Sequence, residues 1–169
     1  DGSQPIGRGI GPLLEAEEVR AVLRNEPSAP LDLKEKSLKL AGILLEMAGQ
    51  SHDGYVKAKE VLESGQALKK MQEIIEAQGA LKRPKLGTYR FVVKTTTSGK
   101  IVEIDNLVIA KIARTAGAPQ DKGAGLYLNK HASELVQKKD WLYTIYAENG
   151  FKLKAAVKSL KNGNGYLIK

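Results

Sequence analysis

Cysteine is absent from the 169 residues, and aromatics are scarce at 5%, with one Trp, two Phe and six Tyr. Without a thiol the chain forms no disulfide, builds no thiolate zinc site and offers no cysteine nucleophile. Histidine occurs only at His52 and His131, far apart and without ligand spacing. Neither a histidine metal site nor a Ser-His-Asp arrangement is expected, and both are read as surface residues. No apolar run approaches the roughly 18 residues of a membrane span, and no secretory signal pattern stands at the start. A soluble, cytoplasmic protein with no membrane partner is expected. The remaining composition, 42% hydrophobic and 27% charged, is too apolar for wholesale disorder and suffices for one ordinary core or two small ones.

Charge is divided unevenly. Residues 1–85 hold 13 Lys and Arg against 13 Asp and Glu, whereas residues 86–169 hold 14 against 6, so the net charge of +8 lies in the second half. The densest run, Lys82, Arg83, Lys85, Arg90, Lys94 and Lys100, meets no carboxylate until Glu103. Such a run suits phosphate esters or an acidic surface, and most often forms a solvated basic face. Nucleic acid is not an expected partner, because only Tyr89 and Phe91 interleave with these cations as stacking platforms would.

The first half reads as helices. Pro12 suits a first helical position and opens a run with Leu14, Val19, Val22 and Leu23 that Asn25 and Pro27 stop. Asp32 and Glu35 have capping-box spacing before Leu38, Ala41, Leu44, Leu45 and Ala48, with Gly49 as the stop. Two more helices are expected over about 53–63 and 65–78, the latter with Leu68, Met71 and Ile75 on one face. Near Arg83-Pro84-Lys85-Leu86-Gly87 the apolar period falls from about 3.6 to about 2, which predicts a boundary between domains 1–85 and 86–169. Beyond it, Tyr89–Lys94 and Ile101–Ile104 read as a hairpin turned by Thr97-Ser98-Gly99. Asp105-Asn106 caps a helix ending at Gly117. Strands follow over 125–129 and 141–147, then a helix over 151–160 and a closing strand over 166–168.

Short motifs yield no catalytic constellation. Gly7-x-Gly9-x-Gly11 is glycine-rich like a phosphate cradle, but its spacing is not G-x-G-x-x-G and no strand is expected before it. Close backbone approach between packed elements explains the glycines better. Ser98-Gly99-Lys100-Ile101 has neither the upstream glycine nor the hydroxyl of a phosphate-binding loop. Asp121-Lys122-Gly123-Ala124-Gly125 reads as a turn, and the stripe Trp141, Tyr143, Ile145 as core.

Longer strings carry more. Asp1-Gly2-Ser3-Gln4-Pro5-Ile6-Gly7-Arg8-Gly9-Ile10-Gly11-Pro12, followed by Leu14-Glu15-Ala16, closely resembles a signature of the thymidine/AMP phosphorylase family. Leu33–Gly42, Ser64–Leu68, Ala77–Gly79, Ser98–Asn106, Ala116–Gly125 and Tyr143–Glu148 extend the resemblance over nearly the whole chain. Gly2, Arg8, Pro12 and Asp121–Gly125 are more like archaeal AMP phosphorylases than bacterial pyrimidine enzymes.

The resemblance implies an α/β fold: the mainly helical C-terminal part of a phosphorylase α/β domain, then a small basic α+β domain with an antiparallel or mixed sheet. It implies a glycosyltransferase that uses inorganic phosphate as co-substrate to release the base from AMP or a nucleoside. A homodimer or higher homo-oligomer is implied as well. The family's phosphate loop, proton donor and base-contacting residues lie upstream of the string that opens this chain. No residue here is therefore a catalytic candidate, and the chain reads as an inactive piece of a longer polypeptide. An alkali cation held by family backbone carbonyls and a carboxylate would map to Ile6, Gly9 and Glu18, although Glu18 near a helix start also favours the helix dipole. A thymidine or pyrimidine-nucleoside phosphorylase and a non-catalytic basic binding module are the alternatives.

Overall fold

The computed structural model describes residues 2–79 and 84–169. They form two units: residues up to Ala16 join Pro84–Lys169 in one, and the other begins at Glu17. The boundary expected at 85/86 therefore misplaces the leading residues, which belong with the second half. Their backbone bonds to distant strands, described below, are the reason.

The unit beginning at Glu17 is helical. Helix α1 (Pro12–Leu23) starts before it and continues into it, followed by α2 (Leu31–Met47), α3 (Gly54–Glu63) and α4 (Gln66–Ala77). The chain leaves α1 through Asn25, at a φ of 54°, whose side-chain amide donates to the Leu62 carbonyl at 3.0 Å. The capping box expected at Asp32 and Glu35 does not form. Extended Pro30 is the N-cap, so α2 starts two residues earlier and Asp32 falls inside its first turn, accepting from the Leu33 N–H. Glu35 instead accepts the Tyr55 hydroxyl at 2.9 Å, and that bond raises the Tyr55 pKa above the ordinary phenol value. Helix α3 is capped as its sequence directs, by Asp53 accepting from Val56 N–H at 3.0 Å. Helices α2 and α3 meet backbone to backbone. A Cβ on Gly54 would lie 1.9 Å from the Gly42 carbonyl oxygen, so the crossing requires glycine. The buried core here is Val22, Ala29, Leu38, Ala58 and Leu62. Leu68, Met71 and Ile75 of α4 are only half-buried.

The second unit is a mixed α/β structure with two antiparallel sheets. One has the order β1 (Gly9–Ile10), β4 (Gly125–Leu128), β6 (Trp141–Ala147), β2 (Tyr89–Lys94); the other has β5 (Leu135–Val136), β3 (Gly99–Ile104), β7 (Tyr166–Ile168). Helices α5 (Asn106–Ala116) and α6 (Gly150–Ser159) pack on each other and on the first sheet. Asp105 and Asn149 cap them with side-chain oxygens, and Gly117 at φ 125° ends α5. The expected hairpin of 89–94 with 101–104 is absent: β2 pairs with β6, and β3 with β5 and β7. Buried Thr95 redirects the chain. Its N–H donates to the Asp140 carbonyl, its carbonyl accepts from Lys139 N–H, and its Oγ1 bridges to Thr97. The core includes fully enclosed Ile101, Ile104, Leu126, Leu142, Tyr143 and Ile145. Of the expected stripe, Trp141 stays half-exposed, with the Lys94 ammonium 5.9 Å from its ring centroid.

Among the described residues no helix is long and apolar enough to cross a membrane. Lys85, Arg90, Lys94 and Lys100 of the basic run are solvent-exposed, while Lys82 and Arg83 lie outside the described residues.

Candidate functional site

Of the strings that resemble a phosphorylase signature, the opening one and those over 98–106 and 116–125 lie about a hundred positions apart in sequence, and the fold brings them together. Gly2 and Ser3 carbonyls accept from the Asn106 side chain, and the Gln4 side chain accepts from Ile104 N–H at 2.8 Å. Further on, Leu128 N–H donates to the Arg8 carbonyl at 2.8 Å, Gly9 and Ile10 pair with Tyr127 and Leu126, and Leu13 N–H donates to the Lys122 carbonyl at 3.1 Å. The glycines permit this contact. Gly11 sits at φ 123°, and a Cβ there would lie 2.4 Å from the Ala124 carbonyl oxygen. Gly7-x-Gly9-x-Gly11 is thus a close backbone approach, as its spacing suggested. One Glu15 carboxylate oxygen closes the turn by accepting from Gly11 N–H at 2.7 Å.

The loop Asp121–Gly125 is held from its other side. A Glu148 oxygen accepts from Gly123 N–H at 2.7 Å, Gly87 N–H donates to the Gly123 carbonyl, and Asp121 pairs with the Lys152 ammonium at 2.7 Å. Beside it opens a hollow of about 500 Å³ lined by Lys85, Thr88, Gln120, Lys122 and Glu148 among others. Sequence reasoning assigned no role to Glu15 or Glu148, and only Glu15 offered a signal, a carboxylate in the first turn of α1.

Arg8 reaches the far end of β4, where its guanidinium donates to the Leu128 and Asn129 carbonyls at 3.4 and 3.3 Å. Nearby, Tyr143 and Tyr166 stack with centroids 5.6 Å apart. The Tyr143 hydroxyl donates to the Asn164 carbonyl and the Tyr166 hydroxyl to the Lys130 carbonyl. Burial raises both pKa values well above the ordinary phenol value. For Tyr166 the neighbouring Tyr143 and Glu134 add to the rise and Arg8 opposes it.

The expected cation ligands are distributed as follows. Ile6 precedes β1, Gly9 lies in β1, and Glu18 lies on the part of α1 that falls in the helical unit. Because the Arg8 carbonyl bonds to Leu128, Gly9 occupies the non-hydrogen-bonded position of the ladder, and its carbonyl points away from β4. A backbone carbonyl so placed is a hard oxygen donor. The described residues contain no cluster of three His, Asp or Glu side chains suited to a metal. His52 is exposed and His131 half-buried, with its N–H bonded to Glu134.

A model of the pyrimidine nucleoside phosphorylase C-terminal domain matches residues 100–167, from β3 through β7. The match takes in 68 of the 169 residues. The chain is also similar to curated proteins over almost all its length. It is 49% identical over 173 residues to a Rhodopseudomonas palustris (strain BisA53) protein named "Putative thymidine phosphorylase". Proteins of the same name from Bradyrhizobium diazoefficiens and Legionella pneumophila (strain Paris) are 47% and 44% identical. Each alignment takes in 99% of this chain and 33% of the relative. The chain therefore spans about a third of the length of the relatives it matches. These three relatives are bacterial. The matched stretch includes α5, α6 and the Tyr143–Tyr166 stack, and the leading strand β1 adds to the sheet of β4 and β6 from outside the matched range.

Proposed function

We propose that this chain is the closing part of a phosphorylase that cleaves nucleoside 5′-monophosphates, AMP foremost, with inorganic phosphate. A phosphate oxygen forms a bond to C1′ of the ribose while the bond from C1′ to the base nitrogen breaks. The base leaves with that electron pair and gains a proton, so AMP gives adenine and ribose 1,5-bisphosphate. The observation that carries the phosphorylase part of this reading is 44 to 49% identity over 99% of the chain to relatives named "Putative thymidine phosphorylase". The resemblance of Gly2, Arg8, Pro12 and Asp121–Gly125 to AMP phosphorylases supports the monophosphate. Displacement at an anomeric carbon needs an anchored phosphate and a stabilised leaving base in one closed cleft. Both come from the rest of a polypeptide of the relatives' length, so this chain alone is inactive in our reading.

The name of the relatives favours a second reading, thymidine as substrate. Phosphorolysis by the full-length gene product with AMP and thymidine in competition separates the two. Preferential adenine release supports the first, preferential thymine release the second, and release of neither base removes both.

The unit formed by residues 1–16 and 84–169 holds 16 Lys and Arg against 8 Asp and Glu. Its field speeds encounter with a phosphorylated substrate, so kcat/KM falls with ionic strength more steeply for AMP than for adenosine. Equal slopes would remove the steering role. Ile6, Gly9 and Glu18 contribute oxygens to an alkali cation in the full-length protein, which works as a homodimer or larger homo-oligomer in the cytoplasm. Activity indifferent to replacing potassium by choline, or a monomeric native mass, would refute the corresponding part.

A further inference from the structure

Asparagine stands directly before glycine at three places in the unit that ends at Lys169: Asn149-Gly150, Asn162-Gly163 and Asn164-Gly165. Such a pair can undergo a reaction that needs no enzyme. The glycine main-chain nitrogen, losing its proton to base, forms a bond to Cγ of the asparagine, and the bond from Cγ to Nδ2 breaks with ammonia leaving. Water then opens the resulting five-membered imide at one carbonyl or the other, giving aspartate or isoaspartate. Glycine favours the closure because it has no side chain to obstruct the ring. The three pairs share this chemistry, so in the folded protein they are told apart by what holds each amide.

Asn149 is held by its role as a cap. Its Oδ1 accepts from Phe151 N–H at 2.7 Å, and a Cβ on Gly150 would stand 3.2 Å from a ring carbon of Tyr89. Closing the imide there removes the cap and disturbs the first turn of a helix packed on α5 and β2. Asn164 is held twice: its Oδ1 accepts from Tyr166 N–H at 2.9 Å, and its carbonyl accepts the hydroxyl of fully buried Tyr143 at 2.9 Å. The Gly165 carbonyl also accepts from Asp105 N–H at 2.8 Å, so the backbone on both sides of the reacting bond is fixed. Asn162 is different. It ends a single 3-10 turn, Leu160–Asn162, is exposed, and its side chain bonds to no described residue. Gly163 is exposed too, at φ 119° and ψ 146°, with open space where a Cβ would be. One bond opposes the reaction, from Gly163 N–H to the Leu160 carbonyl at 3.1 Å, and it closes the last turn of a helix, where such bonds open most readily.

We infer that Asn162 is a site of spontaneous deamidation in the folded protein, while Asn149 and Asn164 are shielded. The product sets a carboxylate beside Lys161 or, as isoaspartate, adds a main-chain methylene to the turn that leads into β7. To test this, the full-length gene product is aged at mildly alkaline pH, folded in one sample and in urea in another. Peptide mass mapping with fragmentation follows the amide-to-acid change at each of the three asparagines, and chromatography separates the aspartyl from the isoaspartyl peptides. Dividing each folded rate by the rate in urea leaves only the effect of the fold. That ratio should be at least fivefold higher at Asn162 than at Asn149 or Asn164, with isoaspartate among the products at 162. Asn162→Gln should leave that position unchanged over the same period, because closure through the longer side chain needs a six-membered ring. A ratio at Asn149 or Asn164 equal to or above that at Asn162 would overturn the inference. So would an Asn162 that reacts only in urea.

Discussion

The two units solve the problem of burying apolar surface differently. The basic unit encloses Ile101, Leu126, Leu142, Tyr143 and Ile145 completely between sheet and helices. The helical unit leaves none of its five core residues less than 4% exposed and shows large aliphatic side chains to water along α2. All the net charge sits on the first, and the second is neutral. One therefore encloses its core, while the other leaves large apolar side chains exposed along α2.

Truncation separates them most sharply. Leu142→Ala in the basic unit is expected to cost about 3 kcal/mol or more, whereas Leu44→Ala, on a side chain 64% exposed, should cost under ~0.5 kcal/mol in the same chain. Urea titration of both variants checks this, and similar losses would erase the distinction. Next in size is Gly54→Ala. The added methyl drives α2 and α3 apart, and roughly 1–3 kcal/mol of stability should go from the helical unit alone, read by hydrogen exchange in α2 and α3.

Alkali acts on the opposite unit. Tyr143 and Tyr166 are buried as neutral phenols with raised pKa values, so their contribution to stability is complete below about pH 10, the unfolded phenol value, and is lost as pH rises above it through the folded values. A double variant Tyr143→Phe, Tyr166→Phe should lose stability less steeply from pH 9 to 11 than the parent. At neutral pH it should be weaker by about 1–2 kcal/mol for each hydroxyl bond removed. A parallel fall in both proteins would contradict the assignment. The smallest contrast is in the caps: Asp53→Ala and Asp105→Ala should each cost about 1 kcal/mol, one in each unit, by thermal unfolding.

Local signals made much of this legible in sequence. Asp53, Asp105 and the glycines after helices mark their ends by chemistry confined to a few residues, and alternation marks β2 and β6. What sequence hides is pairing decided at a distance. Strand β1 is two residues in a glycine-rich string, and its partner β4 lies beyond all of the helical unit. Thr97-Ser98-Gly99 has hairpin composition, but Thr95 is tied to Asp140 and Lys139, and those bonds choose the sheet. Asp32 has the right spacing for a cap, and Pro30 takes the position first. At the site, the individual strings were readable by resemblance, but their meeting through Gly11, Lys122 and Ala124 was not.

The pairing of β1 with β4 also bears on the order of folding. Ribosomal synthesis makes β1 before the helical unit, and β1 has no β4 to pair with until Leu126–Leu128 exist. The clasp between them ties off a loop holding the helical unit. The entropy of closing such a loop grows only logarithmically, by ~0.6 kcal/mol for each doubling of its length. The clasp is therefore nearly indifferent to how much chain it encircles, and the fold can accept insertion or loss within the helices while the basic sheet keeps its edge.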